Sequence, residues 1–339
     1  GSIGRFFYGL RCPGQKNEGE HAMTVSCAKR DILGLKDMER LDIETIFRET
    51  YAMREILHSR QKSSLLSGTV VVNAFFENST RTRISFEVAA KKLGADVVNF
   101  ATIGSSVAKG ESFEDTLMNL EALGADAIVI RHSDPDALST AAHILSIPVL
   151  NGGAGSEEHP SQALLDIFTL GDHFKNLSGR KIVIVGDIRH SRVAKSNLYG
   201  LLKFGAKVVF CGPEDLVSQE YKNLGAEVEY DLTAALENAD AVMALRMQFE
   251  RQEEDYHKRL DYYRDNYQIN SARLRYAKPD LLVMHPGPIN RDIEISSEVA
   301  DGPQSIILEQ VNNGVAVRMS LFKMAMSKYC GRSRHLAAI

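Results

Sequence analysis

The sequence predicts an α/β protein of two domains, each built on a parallel β-sheet flanked by helices, with the functional site in the cleft between them. Its 339 residues are the length of about two domains. Short apolar runs alternate with helical patterns from residue 70 to about residue 174, and a second series of the same kind begins at residue 181. Because strands that alternate with helices form parallel sheets, each series predicts one sheet.

The composition excludes several classes of protein. Apolar residues make up 44% of the chain and charged residues 25%, as in ordinary globular proteins, and the net charge of −4 indicates no nucleic-acid partner. No stretch reaches the roughly 18 apolar residues of a membrane span, so no membrane partner is expected. The four cysteines are scattered, without a C-x-x-C pair or histidines at metal-binding spacing. They indicate reduced thiols in a cytoplasmic protein, and we expect neither a metal nor a cofactor.

The strongest signal for a ligand lies in a predicted strand and helix at residues 70–87. The apolar run after Gly68 is typical of a buried strand, and helical spacing begins after Thr80. Hydroxyl and guanidinium groups lie between them, at a helix start whose unpaired N–H groups favour an anion. A plain N-cap with two solvated arginines is the alternative. Since no G-x-x-x-x-G-K-[ST] motif is present, a small phosphorylated metabolite is favoured over a nucleoside triphosphate. The candidate ligands of the anion are Ser79, Thr80, Arg81 and Thr82.

Three further arginines follow predicted strands. Arg131 follows the third strand of the first series, and open α/β sheets bind ligands at the carboxyl ends of their strands. Arg192 and Arg246 follow strands of the second series. Each alone could be a surface ion-pair partner, but two of them at one edge of a sheet suggest two carboxylates held by two guanidinium groups. A dicarboxylic amino acid supplies two such carboxylates.

The motif Ser-Thr-Arg-Thr-Arg followed by Ser-Phe-Glu resembles the carbamoyl phosphate site of the carbamoyltransferases. The run His-Pro-Ser-Gln at residues 159–162 is similar to the His-Pro-x-Gln signature of that family. The resemblance implies that His159 faces the carbamoyl carbonyl group and that Gln162 lies beside it. It also implies that Ser105 and Lys109 reach the phosphate from a neighbouring subunit, because they match a loop that the family inserts into the adjacent active site.

The run His-Pro-Gly-Pro at residues 285–288 separates members of this family. Members that carbamoylate aspartate carry His-Pro-x-Pro here, whereas ornithine carbamoyltransferases carry a cysteine in a His-Cys-Leu-Pro run. Two prolines fix the backbone, so carbonyl groups at Pro286 and Gly287 can be directed at an amine. The resemblance therefore implies transfer of the carbamoyl group from carbamoyl phosphate to L-aspartate in pyrimidine biosynthesis. Transfer to ornithine or another acceptor, and a non-catalytic homologue, are the alternatives.

The resemblance covers residues 41–329 and implies the limits of the domains. The predicted units are an N-terminal extension at 1–30, a carbamoyl phosphate-binding domain at 31–158 that a C-terminal helix at 305–339 completes, and an aspartate-binding domain at 159–304. In the extension, Gly1-Ser2 resembles a cloning remnant. The charged, tyrosine-rich segment 251–278 fits either a solvated helical hairpin or a mobile loop that closes over the substrates, and the resemblance favours the loop.

The expected active unit is a homotrimer with active sites shared between subunits, and the sequence leaves a regulatory chain open. The expected catalytic residues are Arg81, Thr82, Lys109, Arg131, His159 and Gln162. The expected substrate-binding residues also include Ser79, Thr80, Ser105, Arg192, Arg246, Gln248, Pro286 and Gly287.

Overall fold

The computed structural model describes residues 30–59, 61–101, 110–155, 157–247 and 256–327. Strands and helices alternate along most of these ranges. The strands are β1 Val70–Phe75, β2 Asp96–Ala101, β3 Ala127–His132, β4 Val149–Ala154, β5 Lys181–Val185, β6 Lys207–Cys211, β7 Glu227–Glu229, β8 Ala241–Ala244 and β9 Leu282–Met284. The helices are α1 Arg40–His58, α2 Thr80–Lys92, α3 Phe113–Ala122, α4 Ala137–Ile144, α5 Pro160–Phe174, α6 Arg192–Lys203, α7 Leu232–Leu236, α8 Tyr256–Tyr267, α9 Ser271–Leu274, α10 Ser297–Ala300 and α11 Ile307–Met326.

The first sheet is parallel and has the strand order β2-β1-β3-β4. Its inner strand β1 places Val71 opposite Val97 of β2 and Ala127 of β3. Only the first residue of β1 is not fully buried, because a parallel sheet is covered on both faces. This burial explains why the sequence of β1 is almost continuously apolar.

The second sheet is also parallel, with the order β7-β6-β5-β8-β9. The strand order reverses between β5 and β8, as it does between β1 and β3 in the first sheet. Ligand sites of open α/β sheets lie outside the carboxyl ends of strands at such reversals. The predicted fold class, α/β with two parallel sheets flanked by helices, is confirmed.

Helix α11 returns from the end of the chain to the first sheet. It contacts α1, α2 and α5, and it also contacts β9 of the second sheet. Gly314 allows α5 to approach closely, because a β-carbon at this position would lie 2.8 Å from Leu165 Cδ2. Helices α5 and α11 therefore form a buried junction next to both sheets, whereas the domain limits given above stay a prediction.

The segment predicted as a closing loop contains two helices in the part that the structure describes. Helix α8 covers Tyr256–Tyr267 and α9 covers Ser271–Leu274, whereas residues 251–255 lie outside the described ranges. Tyr263 and Tyr267 are buried, and their rings stack with centroids 5.5 Å apart. They belong to the same hydrophobic cluster as Val185 and Cys211 of the second sheet. The tyrosines therefore pack α8 against the sheet, so this part of the segment is a packed helix, while closure of the segment over the substrates stays a prediction.

The predicted N-terminal extension cannot be compared with the fold, since residues 1–29 lie outside the described ranges. Among the helices within those ranges, none combines the length and the apolar character that crossing a membrane requires.

Candidate active site

The candidate site begins where α2 follows β1. Ser79 is the N-cap residue of α2, with φ −156° and ψ 90°, and its side chain makes no capping hydrogen bond. Thr80 and Arg81 are exposed, and Thr82 is half-buried. Hydroxyl, guanidinium and backbone N–H groups therefore lie together at one helix start. This combination suits a phosphate group.

One carboxylate connects the two sheets. Glu77 Oε2 lies 3.1 Å from Nη2 of Arg192, which opens α6, and 3.3 Å from Nε of Arg131 near the end of β3. The first contact is a hydrogen bond, whereas the second has ion-pair distance without hydrogen-bond geometry. Burial, followed by the positive charge of Arg192, lowers the pKa of Arg131 to about 10, and Glu77 opposes this change. Arg131 therefore stays charged at neutral pH.

The end of β4 and the residue that follows it provide carbonyl partners for both arginines. Nη1 of Arg131 donates to the carbonyl of Gly152 at 3.2 Å, and Nη1 of Arg192 donates to the carbonyl of Gly155 at 3.0 Å. Gly153 lies beneath the two side chains with φ +116°, and a β-carbon there would be 2.7 Å from Arg131 Nη1. Only glycine suits both this backbone conformation and this close approach.

His159 is the N-cap residue of α5 and is buried. Its backbone N–H donates to Ser196 Oγ at 2.9 Å. Burial, and then the positive charges of Arg131, Arg318 and Arg192, hold the pKa of His159 well below its usual value. The imidazole is therefore neutral at pH 7. A neutral imidazole can donate a hydrogen bond to an oxygen on which negative charge develops, and the nearby arginines stabilise the same charge.

The side-chain amide of Gln162 is oriented by a residue one helical turn further along α5. Its Nε2 donates to Asp166 Oδ1 at 2.9 Å. This hydrogen bond assigns the nitrogen to Asp166 and leaves the amide oxygen as an acceptor. A carbamoyl group carries an NH₂ group that can donate to such an oxygen.

The second sheet adds Arg246, which follows β8 and is exposed. The pKa of Arg81 is lowered, mainly by burial and then by the positive charge of Arg246, so the two guanidinium groups interact. Among the residues that the structure describes, neither has an acidic partner. Arg81 also lies against Gly287, where φ is +68° and a β-carbon would overlap the guanidinium group. Two cations without a carboxylate between them are suited to binding an anion.

Buried side chains hold the turn that follows β9. The N–H of Gly287 donates to His285 Nδ1 at 2.7 Å, so the proton of this imidazole is on Nε2, which lies 3.2 Å from Glu294 Oε1. The N–H of His285 donates to Gln310 Oε1 at 3.0 Å. Within the described ranges, the carbonyl oxygens of Pro286 and Gly287 accept no backbone hydrogen bond. They are fixed acceptors that suit an amine.

Both halves of the chain match models of a single protein family. Residues 30–172 match the carbamoyl-P binding domain of the aspartate/ornithine carbamoyltransferases, and residues 178–325 match their Asp/Orn binding domain. The chain belongs to the aspartate/ornithine carbamoyltransferase family. The predicted resemblance to the carbamoyltransferases is thus confirmed.

The individual relatives that are similar to this chain include enzymes named for aspartate and an enzyme named for ornithine. The aspartate carbamoyltransferase catalytic subunit of Moorella thermoacetica is 49% identical over 294 residues, which are 86% of this chain and 96% of that protein. The subunit of the same name from Opitutus terrae is 48% identical over 293 residues, 86% of this chain and 93% of that protein.

The structure of ornithine carbamoyltransferase from Pyrococcus furiosus is similar with a TM-score of 0.81 and 30% identity, and the match covers 89% of this chain and 99% of that one. Aspartate transcarbamoylase from Trypanosoma cruzi in complex with carbamoyl phosphate and aspartate gives a TM-score of 0.79 and 30% identity, covering 88% and 96%. The fold is thus similar to both kinds of enzyme, whereas these two sequences of much higher identity are both aspartate carbamoyltransferases.

The structure groups the predicted site residues of this family member differently from the sequence analysis. The sequence analysis pairs Arg192 with Arg246. In the structure each lies beside an arginine of the first sheet, Arg192 beside Arg131 and Arg246 beside Arg81. The predicted residues Ser105, Lys109 and Gln248 lie outside the described ranges.

Sequence reasoning assigned no role to several polar residues that support the site. Glu77 precedes the phosphate motif by two positions, and an acidic residue so close to an anion site was a signal that it binds neighbouring cations. Asp166 stands four residues after Gln162, which is a spacing at which helical side chains meet. Gln310 and Arg318 lie on α11 and gave no local signal, since their partners are distant in sequence.

Proposed function

We propose that this chain transfers the carbamoyl group of carbamoyl phosphate to the amine of L-aspartate, giving N-carbamoyl-L-aspartate and phosphate, a step of pyrimidine biosynthesis. The observation that carries this assignment is the 48–49% identity to aspartate carbamoyltransferase catalytic subunits over at least 93% of their length. The His-Pro-Gly-Pro run at residues 285–288, without a cysteine, supports aspartate over ornithine as the acceptor.

In this proposal the start of α2 binds the phosphate of carbamoyl phosphate. Ser79, Thr80, Arg81 and Thr82 supply hydroxyl, guanidinium and backbone donors there. Ser105 and Lys109 add donors from a neighbouring subunit. The cytoplasm, where carbamoyl phosphate and aspartate are both available to such an enzyme, is the proposed location.

The carbamoyl carbonyl oxygen receives hydrogen bonds from Thr82, Arg131 and His159, while Gln162 accepts from the carbamoyl NH₂ group. Negative charge grows on this oxygen as the aspartate amine attacks the carbonyl carbon and forms a C–N bond. Donors that are already in place for such charge often provide the largest part of the catalytic effect. The C–O bond to phosphate then breaks, and the leaving phosphate accepts the proton that the amine loses.

The acceptor is held by its two carboxylates and its amine. Arg192 and Arg246 bind the carboxylates with help from Gln248, and the carbonyl groups of Pro286 and Gly287 accept from the amine. Such positioning makes the reaction of two substrates nearly unimolecular.

The experiment that tests this proposal compares two acceptors under identical conditions. The purified protein is incubated with carbamoyl phosphate and either L-aspartate or L-ornithine, and the carbamoylated product and the phosphate are both measured. We expect product from aspartate and none above background from ornithine. Product from ornithine alone would replace the assignment with an ornithine carbamoyltransferase, and product from neither would indicate a non-catalytic homologue.

We also propose a homotrimer in which Ser105 and Lys109 act in the neighbouring site. Arg81→Ala and Lys109→Gln should each be inactive as pure proteins. If each site takes Arg81 from one chain and Lys109 from the next, every mixed trimer has one intact site. Random reassembly of equal amounts then restores about a quarter of the sites. No restored activity in hybrid trimers verified by mass would mean that Lys109 serves its own chain.

A further inference from the structure

Asp166 is a fully buried carboxylate that receives hydrogen bonds from three side-chain amides. Gln162 Nε2 donates to its Oδ1 at 2.9 Å, and Gln310 Nε2 donates to the same oxygen at 2.7 Å. Asn197 Nδ2 donates to its Oδ2 at 2.9 Å. No lysine or arginine within the described ranges forms an ion pair with it. The amides therefore provide its direct partners.

Each of the three amides belongs to, or is connected through its helix or a hydrogen bond to, a different predicted substrate-binding group. Gln162 is itself a predicted contact of the carbamoyl group. Asn197 lies on α6, the helix that begins with Arg192. Gln310 lies on α11, and its Oε1 accepts the N–H of His285, the residue directly before the Pro286–Gly287 turn. One carboxylate thus connects the groups for both substrates.

A carboxylate suits this position because it accepts at both oxygens. An asparagine at the same place has one acceptor oxygen and an NH₂ group, which would face the NH₂ group of Asn197. Burial raises the pKa of Asp166 to about 7, while the hydrogen bonds from Asn197, Gln310 and Gln162 and the charge of Arg318 on α11 act in the opposite direction. The buried position disfavours the charge, so the three donors are what make an acidic residue tolerable there.

We propose that Asp166 is a positioning residue of the carbamoyl transfer: it sets the orientation of Gln162 and keeps α6 and the Pro286–Gly287 turn aligned with it. This inference rests on the proposed function. It does not require Asp166 to touch a substrate. Misplacement of a reacting group by about 1 Å can lower a rate about 100-fold, so small shifts of three elements are sufficient for a large effect.

The junction of α5 and α11 contains a matched control one turn further along. Asn313 Nδ2 donates to Thr169 Oγ1 at 3.1 Å, and both residues are buried. This pair connects the same two helices, three residues after Asp166 and Gln310, but it contacts none of the predicted substrate-binding residues. Thr169→Val therefore removes a buried polar contact between the helices without disturbing the Asp166 network.

The test measures kcat, the KM of each substrate and the melting temperature for the full-length Asp166→Ala, Asp166→Asn and Thr169→Val proteins. We expect Asp166→Ala to lower kcat per folded molecule about 10- to 100-fold and to raise the KM of aspartate. Asp166→Asn should recover part of that loss, because its oxygen still accepts from Gln162 and Gln310. Thr169→Val should keep kcat and both KM values within about twofold of the wild type while it lowers the melting temperature.

Gln310→Met provides a second arm in case Asp166→Ala does not fold. It removes the bridge from Asp166 to His285 with little change in volume, and it should raise the KM of aspartate about tenfold while the KM of carbamoyl phosphate stays constant. Unchanged kinetics in Asp166→Ala and Gln310→Met, or an equal loss in Thr169→Val, would overturn the proposal.

The wild-type acceptor assay is made first. If the wild type does not carbamoylate aspartate, the proposed function has failed. An active wild type with unaffected variants rejects only the role of Asp166.

Discussion

Two pairs of arginines line the candidate site, and among the residues that the structure describes a carboxylate lies beside only one of them. Arg131 and Arg192, which we call the bridged pair, share Glu77 and also donate to backbone carbonyl groups. Arg81 and Arg246, the open pair, are exposed and have no acidic partner among the described residues. The bridged pair is compensated by Glu77, whereas the open pair is suited to binding the negative charge of a ligand.

This difference separates two tasks that one site must perform. Glu77 and backbone carbonyl groups fix the bridged pair in place, and its charges act on the neutral His159. Arg131 of this pair therefore suits stabilisation of charge that appears only in the transition state. The open pair is exposed to solvent, which suits binding of substrates that arrive charged. We therefore assign binding of the charged substrates to the open pair together with Arg192, and stabilisation of transition-state charge to Arg131 and His159. Substitutions in and around each pair test this assignment.

The largest expected effect comes from Arg246 of the open pair. Arg246→Ala should lower kcat/KM for aspartate, with a loss of transition-state stabilisation of about 2–5 kcal/mol, as for a lost hydrogen-bonded charge pair. Binding of carbamoyl phosphate should barely change. Steady-state kinetics with each substrate varied in turn provide the measurement. Arg189→Ala is the control, since Arg189 is an exposed arginine that also follows a strand of the second sheet. Normal aspartate kinetics in Arg246→Ala would show that the open pair does not bind the acceptor.

His159 tests the surroundings of the bridged pair. His159→Ala should lower kcat about 10²- to 10³-fold, the usual size for one lost donor to an oxyanion. The KM values should change less, because the lost interaction forms only as charge develops. The check is kcat per folded molecule, measured together with the melting temperature. A much lower melting temperature with an unchanged kcat would show that His159 is a structural residue. The task proposed for the surroundings of the bridged pair would then be wrong.

Local patterns predicted the fold and much of the site. The apolar run of β1 and the hydroxyl-rich start of α2 are contiguous in sequence, so strand, helix and anion site could be derived together. Arg131 was identified because a strand end is a position that sequence periodicity reveals. In these cases the chemistry and the structural element lie within a few residues of each other.

Contacts between distant residues could not be predicted in this way. Gln310 and Asp166 are 144 residues apart, and Arg192 and Glu77 are 115 residues apart, so neither pair has a sequence pattern of its own. The bridged pair itself was missed for that reason. The tyrosines of α8 were misinterpreted for a related reason: charged residues around Tyr263 and Tyr267 suggested exposure, whereas packing against the second sheet buries both rings.

The smallest effect concerns stability, which should fall when the bridged pair loses its carboxylate and should barely change when the open pair loses a cation. Glu77→Gln leaves Arg131 and Arg192 facing each other without a carboxylate. The free energy of unfolding should fall by about 1–2 kcal/mol, less than for a fully buried pair because Glu77 is partly exposed. Arg81→Gln removes a cation that already faces Arg246, so stability should stay within about 0.5 kcal/mol of the wild type. Denaturant unfolding of both variants in low salt gives the two values.

The double variant Glu77→Gln/Arg192→Gln is the internal control. It removes the negative charge together with one of the two positive charges, so part of the loss in Glu77→Gln should be recovered. Together with Arg192→Gln alone, it completes a double-mutant cycle that measures the coupling between the two side chains. High salt should reduce the loss in Glu77→Gln because it screens the repulsion between Arg131 and Arg192. Equal losses in Glu77→Gln and Arg81→Gln, insensitive to salt, would mean that Glu77 does not compensate the bridged pair. The two pairs would then differ in exposure alone.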